Sequence, residues 1–249
     1  MTTKMLNGHK YNGIKQNHLQ ETAIDYLSQN MLKHMDMIVP IKRGTANVLY
    51  AAKDGVCLVD TKSEAYMLSA ASRETGAQLI AMLPAEGLFT FHQDFLLDDI
   101  KKKVRYETFI ENFQAVYFGE EPLHIAENIM QKPLDLSHFD IVVKNYDVDV
   151  GADYLRKRLE EGQLFGGFVD SELVGFVGIH AEGSIGLLKV FDQHLKKGYG
   201  AALTGYITNY QLRQRVRPFA QICVGNEASM AVFKKLGFSI STERVYWLF

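Results

Sequence analysis

Glycine is spread unevenly along this chain, and that unevenness constrains the fold more than any other feature of the sequence. Of 20 glycines, ten fall from Gly151 to Gly200, seven lie before that window and three after it. Residues without a Cβ permit positive φ and close backbone approach, so tight turns and crowded strands are expected in mid-chain. The same shift in composition divides the sequence. Between Glu120 and Leu136, Pro122 and Pro133 flank a short segment with a helical pattern, HIAENIMQK, which marks a seam near residue 135. The expected organisation is an N-terminal α+β domain over 1–135 and a second domain over 136–249.

Composition excludes several classes. The chain has 249 residues, 47% hydrophobic and 22% charged, the balance of an ordinary globular protein. No apolar run approaches the roughly 18–20 residues needed to cross a bilayer, and the opening MTTKMLNGHKYNG has no apolar core of a secretory signal. No membrane partner is expected. A net charge of −2 speaks against nucleic acid as the main partner. Cys57 and Cys223 sit far apart without a partner motif, which fits a reducing cytoplasm and leaves no cysteine-based metal site. No metal is expected.

Upstream of the seam, Leu19, Ala23, Leu27 and Met31 recur at helical spacing. After Met37–Pro40, NVLYAA and VCLVDT read as a hairpin around Lys53-Asp54-Gly55. SEAYMLSAASRETG reads as a helix capped by Ser63 and stopped by Gly76, QLIAML as a buried strand, Asp98 to Arg105 as a polar helix, and FQAVYF as a strand. Lys101, Lys102 and Lys103 read as a solvated face. No chemical motif stands out in this half.

Downstream, FDIVVKNY reads as a strand and DVGADYLRKRLEEG as a short helix. LFGGFVD and LVGFVGIH pair through Asp170-Ser171-Glu172, and SIGLLKVF makes a third strand. A helix from Ala201 to about Arg213, the strand PFAQICV, the helix EASMAVFKKL, and the strands FSIST and RVYWLF complete the chain. Three antiparallel strands followed by β-α-β-α-β imply a mixed α/β sheet of the α+β class rather than a doubly wound one.

In VFDQHLKKGYGAAL a strand runs into a helix through Gly198 and Gly200. Amides at a helix start have no intrahelical partner and sit at the positive end of the dipole. With glycine letting a ligand approach, such a turn can cradle phosphate, and Lys196 and Lys197 add charge. Three readings compete: a tight packing turn, a dinucleotide fingerprint, and a site for the pyrophosphate of coenzyme A. Leu203 stands where a dinucleotide fingerprint has its third glycine, and no Gly-Lys-Ser/Thr follows as in a P-loop.

The second segment, NEASMAVFKKLGF, directly follows PFAQICV, and together the two resemble the GNAT superfamily of acyl-CoA N-acyltransferases. That family ends its fourth strand in a valine and starts a Gln/Arg-x-x-Gly-x-Gly/Ala turn five residues later. From Val190 the corresponding run is Leu195, Lys196, Lys197, Gly198, Tyr199, Gly200, with Leu195 departing from Gln/Arg. The family's next pattern, from an Asn, falls on Asn226, Ser229, Phe233, Leu236, Gly237 and Phe238. The likeness covers about 110 residues, from Phe139 to Phe249.

The resemblance implies a GNAT fold in the C-terminal half and acetyl-CoA as co-substrate. Amides from Lys196 through Lys197, Gly198, Tyr199, Gly200 and Ala201 to Ala202 would hold the pyrophosphate. Main-chain groups of Leu188 and Val190 would hold the pantetheine arm, flanked by Asn226, Ser229 and Phe233. Bland roles stand beside these: Asn226 is a good helix N-cap and Gly237 a good C-cap, and Phe233 fits a core. The N-terminal half is reminiscent of the degenerate GNAT-like half of the glycine N-acyltransferase-like group.

Acyl transfer to an amine needs a base, an oxyanion donor and a tolerable leaving group. Many relatives place a tyrosine general acid where this chain has Phe233. A thiol pKa of about 8.5 makes that acid dispensable; otherwise Tyr199, Tyr246 or Cys223 would have to substitute. One family position for a glutamate base falls on Ser184, and the nearest titratable groups are Glu182 and His180. Ordered water is the remaining candidate. The expected activity is transfer of an acetyl group to a small amine or amino group, with the N-terminal half shaping the acceptor site or a homodimer interface. The rivals are a catalytically silent CoA-binding or scaffold protein and a nucleotide-dependent oxidoreductase.

Overall fold

A computed structural model describes residues 16–125, 129–146 and 151–249. The opening MTTKMLNGHKYNG and residues 126–128 of HIAENIMQK lie outside the described residues. The chain forms two compact units, one running to Gln114 and taking back Ser241–Phe249, the other spanning Ala115–Ile240. The division therefore falls ahead of the seam expected near residue 135. The proline-flanked stretch is tied into the second unit: Asn209 clamps the Leu123 backbone through both ends of its amide (2.7 and 2.8 Å), and Arg217 donates to the carbonyls of Phe118 and Gly119.

The first unit contains helix α1 (residues 16–27) and α2 (Met31–Arg43), followed by strands β1 (Ala46–Ala52), β2 (Gly55–Asp60) and β3 (Ala65–Ala70). Then come α3 (Arg73–Ala81), β4 (Leu88–Phe91), α4 (Leu97–Lys103) and most of β5 (Phe109–Val116). The sheet order is β1-β2-β3-β4-β11-β5, with β11 (Ser239–Leu248) placed antiparallel to β4. β1, β2 and β3 are antiparallel neighbours, whereas β3 and β4 are parallel across α3.

Two expectations fail here. SEAYMLSAASRETG is a strand followed by a helix start, and QLIAML lies largely in helix α3 rather than in a strand. Ser72 is the cap, accepting the Thr75 amide at 3.2 Å, while Ser63 donates to the buried Asp60 carboxylate. Gly76 sits inside α3 because a Cβ there would come within 2.2 Å of Leu96. A central strand buried on both faces loses the alternation that marks a strand, and Ala65–Ala70 is buried at five of its six positions.

A buried polar network organises the first unit. Both ring nitrogens of His92 face acceptors, the Leu68 carbonyl at 3.1 Å and the Asp36 carboxylate at 2.9 Å. Gln114 also donates to Asp36 (3.1 Å). Beside them, His34 bonds the Leu27 carbonyl (3.1 Å) and Ser69 (2.9 Å), and Gln93 bridges Ser69 to the Ala70 amide. Burial would raise the Asp36 carboxyl, but the His92 charge and hydrogen bond, with Gln114, hold it below its ordinary value. Burial, with the neighbouring His92 adding in the same direction, depresses His34 to about 3.

The second unit contains β6 (Met130–Pro133), a 3-10 turn at Leu136–His138, α5 (Phe139–Asn145) and α6 (Ala152–Glu160). These precede β7 (Leu164–Val169), β8 (Glu172–Ile179), β9 (Ile185–Val190), α7 (Tyr199–Arg213), β10 (Phe219–Cys223) and α8 (Glu227–Lys235). Its strand order is β10-β9-β8-β7-β6. β6 to β9 are antiparallel neighbours, with β7 and β8 joined by the expected turn, where Asp170 and Ser171 both have positive φ. FDIVVKNY is helix α5, not a strand: a capping box between Asp135 and His138 starts the helical turn, and Val142 faces inward while Ile141 and Val143 are exposed. The described end of HIAENIMQK is strand rather than helix, since Met130–Pro133 pairs with β7. Pro133 suits an edge strand, where its missing N–H costs no ladder bond. FSIST and RVYWLF form the single strand β11.

Because His34 stays neutral in the folded state down to about pH 3, the unfolded chain binds a proton below pH ~6.5 that the folded chain refuses. Stability therefore falls as pH drops through that window. The expected loss between pH 7 and 4.5 from this one residue is about 2–3 kcal/mol. Urea unfolding midpoints at the two pH values, in the wild type and in His34→Gln, check it: the variant should show the shallower pH slope.

Candidate functional site

The strand-to-helix turn after β9 is open. Val190 is followed by a 3-10 turn at Asp192–His194, and the chain then bends at Lys196 (φ 61°) and Gly198 (φ 85°) into α7. Gly198 is the N-cap in left-handed conformation, and no side chain caps the helix. The first intrahelical bond runs from Ala202 N–H to Gly198 O at 3.1 Å. The amides of Tyr199, Gly200 and Ala201 come before it, at the positive end of the helix dipole. Lys196, Lys197 and Gly198 are exposed.

Neighbouring elements converge on this turn. A Cβ on Gly200 would lie 3.7 Å from Val190 of β9 and 3.8 Å from Val232 of α8, ordinary contact distances. β9 and β10 are parallel and share a single registered pair, Ala220 opposite Ile185. Leu188 and Val190 lie past that pair. β9 also breaks its ladder with β8: Leu187 has φ 51°, and the register shifts between Phe176 and Gly178. Such a bulge re-aims side chains and locally ends regular pairing.

The remaining sequence-derived residues divide. Asn226 caps α8, its side chain accepting the Ser229 amide at 3.0 Å. Phe233 is 4% exposed and packs edge-on against Phe238, so it serves the core. Leu195 is 51% exposed beside the turn. Tyr246 lies in the first unit, where its hydroxyl donates to Asp94 at 2.6 Å, which commits the proton proposed for acid catalysis. Cys223 ends β10 as a free thiol, pushed up by partial burial.

Glu182, His180 and Ser184 come together at the β8–β9 hairpin. His180 and Ser184 close the turn backbone to backbone (2.9 Å), and Gln211 of α7 holds the Gly183 carbonyl (2.8 Å). Ser184, 2% exposed, donates a close hydrogen bond to the Glu182 carboxylate, itself 8% exposed. The imidazole of His180 lies over Gly186 of β9, where a Cβ would be 2.3 Å from Nε2. Its other nitrogen, Nδ1, is 2.8 Å from the hydroxyl of Tyr154. Burial holds His180 below its ordinary value, with Glu182 opposing and Arg158 adding to the depression. Tyr154 was not singled out by sequence. The available signal is its i, i+4 spacing to the buried Arg158 on α6, which puts two polar residues beside the apolar Leu155 and Leu159.

The first unit shows the same order of three antiparallel strands, helix, parallel strand and helix, yet its helix start is closed. Ser72 caps α3, and Asp54 accepts the Thr75 hydroxyl at 2.6 Å, so a carboxylate stands where an anion would have to approach. The gap past the β3–β4 pairing is filled by Gln93, which bonds the Ala70 amide.

Residues 167–248 match the family model described as FR47-like protein. Among solved structures, the chain resembles an X-ray structure of a Drosophila protein at 11% identity and TM-score 0.69, covering 94% of this chain and 96% of that one. A GCN5-related N-acetyltransferase-like protein from Streptococcus suis matches at 10% identity and TM-score 0.56, covering 94% and 99%. A putative GNAT-family acetyltransferase from Novosphingobium aromaticivorans matches at 12% identity and TM-score 0.55, covering 87% and 95%. Comparison with curated proteins gives no match. The fold is the one these acetyltransferase structures share, the GNAT fold. The matched segment runs from within β7 through the open turn to β11.

The left-handed turn can be tested without a ligand. Gly198→Ala puts a Cβ at φ 85° in open space, so only backbone strain is introduced, and the expected cost is about 1–2 kcal/mol. Chemical denaturation that shows no loss would contradict this backbone.

Proposed function

We propose that the chain is an acyl-CoA-dependent N-acyltransferase that acts on a small amine or amino group. The observation that carries the proposal is the uncapped start of α7, where consecutive main-chain amides, two lysines and a glycine that leaves the approach clear form an anion cradle beside a parallel strand pair with one registered contact. These features fit acetyl-CoA: amides from Lys196 to Ala201 for its pyrophosphate, the Ala202 amide expected beside them being already bonded to the Gly198 carbonyl, and the backbone of Leu188 and Val190, flanked by Asn226 and Ser229, for its pantetheine arm. Bound there, the thioester would supply an activated acyl group and a leaving thiolate that needs little protonation. That matters because Phe233 is in the core and Tyr246 is committed to Asp94.

The chain's own part is to take up a proton from the amine. The resemblance puts a base at Ser184, and Glu182 brings its carboxylate onto that serine's hydroxyl. We assign Glu182 as the base and Ser184 as the group that orients it. The first unit is read as a GNAT-like half with a closed cradle, and the two free cysteines suit a cytoplasmic setting. A silent CoA-binding protein is the second reading, favoured by the apolar Leu195 and the absence of a tyrosine at position 233.

Calorimetry with CoA and acetyl-CoA, followed by thiol release over a panel of amines, separates these readings. Binding with turnover on at least one amine supports the enzyme, and binding without turnover supports the second reading. Gly200→Glu should abolish CoA binding, because it sets a carboxylate in the cradle, while circular dichroism melts stay close to wild type, since the Cβ meets only ordinary contacts. Unchanged CoA affinity in that variant would falsify the site. Glu182→Gln should lower kcat by about 10²–10⁴-fold, the range for losing a general base, with little change in CoA affinity.

A further inference from the structure

The hydrogen bonds around His180 determine what its imidazole can offer. The Tyr154 oxygen accepts the Ala181 amide at 3.3 Å, and its hydroxyl lies 2.8 Å from the His180 Nδ1, the one acceptor beside it for the phenol proton among the described residues. The two rings stack, with centroids 5.9 Å apart and planes 23° from parallel. The Arg158 guanidinium lies 5.5 Å from the Tyr154 centroid on the same helix. With the phenol as donor, Nδ1 is an acceptor and the imidazole keeps its single proton on Nε2. Nε2 is the nitrogen that lies over Gly186, one residue before Leu187 turns β9 out of its ladder.

We propose that Tyr154 is a positioning residue that holds His180 as the Nε2–H tautomer, so that the site presents a neutral N–H donor beside the β9 bulge while proton uptake falls to Glu182. This rests on the acyltransferase reading. A donor fixed in a buried site favours an oxygen on which negative charge grows. The opposite tautomer would present a lone pair there and repel that oxygen.

The surroundings keep both partners neutral. Among the described residues the charged groups that act on His180 come from two elements, Arg158 on α6 and Glu182 in the hairpin turn, in opposite senses. Burial, with Glu182 second, pushes the Tyr154 phenol up, so it retains the proton it donates. Among the described residues Nδ1 is bonded by the Tyr154 hydroxyl and by no carboxylate, so nothing in the pair draws the proton to that nitrogen.

Long-range ¹H–¹⁵N spectra of the full chain labelled at histidine, with His180 assigned by its loss in His180→Gln, read the tautomer directly. At pH 7.5 the wild type should show a protonated Nε2 and a bare Nδ1, and Tyr154→Phe should collapse this into a mixture. In the same variant, kcat on the best amine of the panel should fall about tenfold or more, with the KM for acetyl-CoA within about twofold of wild type. A wild-type signal from Nδ1–H overturns the proposal, as does a Tyr154→Phe enzyme with unchanged kcat. Failure of the wild type to bind CoA defeats the acyltransferase reading instead, and the spectra still decide whether Tyr154 sets the tautomer.

Discussion

Everything proposed for this chain depends on backbone amides left without partners where β9 gives way to α7. A helix start in a protein normally finds a side-chain cap, and the equivalent start in the first unit has one in Ser72. At α7 the N-cap is Gly198, which has no side chain to offer, and the positive dipole end stays available. The two helix starts follow the same strand order yet differ at a single property, whether the protein satisfies its own amides. That difference separates a helix start whose amides are open to a ligand from one whose amides the protein itself covers.

The two units also treat buried polarity differently. In the first, Asp36, His92, Gln114, His34, Ser69 and Gln93 satisfy one another almost completely, as expected of a network that specifies a core. In the second, the polar cluster at the β8–β9 hairpin is smaller and sits next to a bulged strand, and Gly186 makes room for an imidazole. A polar cluster that abuts irregular backbone has a neighbour other than itself to act on.

Much of the second unit was legible because its turns carry local signatures. Asp170-Ser171, Gly198 and Asn226 each fix a chain reversal or a helix start through their own backbone preferences, and the glycine spacing from Val190 gave the open turn its place. The errors fall where context overrides local preference. FDIVVKNY is rich in β-branched residues, yet a capping box just upstream commits it to helix. QLIAML reads as a buried strand, but Ser72 starts a helix ahead of it and Leu96 packs on Gly76 within that helix. Tyr154 escaped notice because its role depends on a hydrogen bond to His180, far along the chain, which no periodicity reveals.

The return of Ser241–Phe249 to the first unit has a consequence for how the protein is made. β11 lies between β4 and β5, and the backbone of Phe249 exchanges hydrogen bonds with Thr108 at 2.8 and 3.1 Å. During synthesis, then, the earlier half emerges from the ribosome with a vacant slot in its sheet, and the whole of the second unit must be translated before the strand that fills it exists. Until that moment the unpaired edges of β4 and β5 are templates on which strands of other chains can pair.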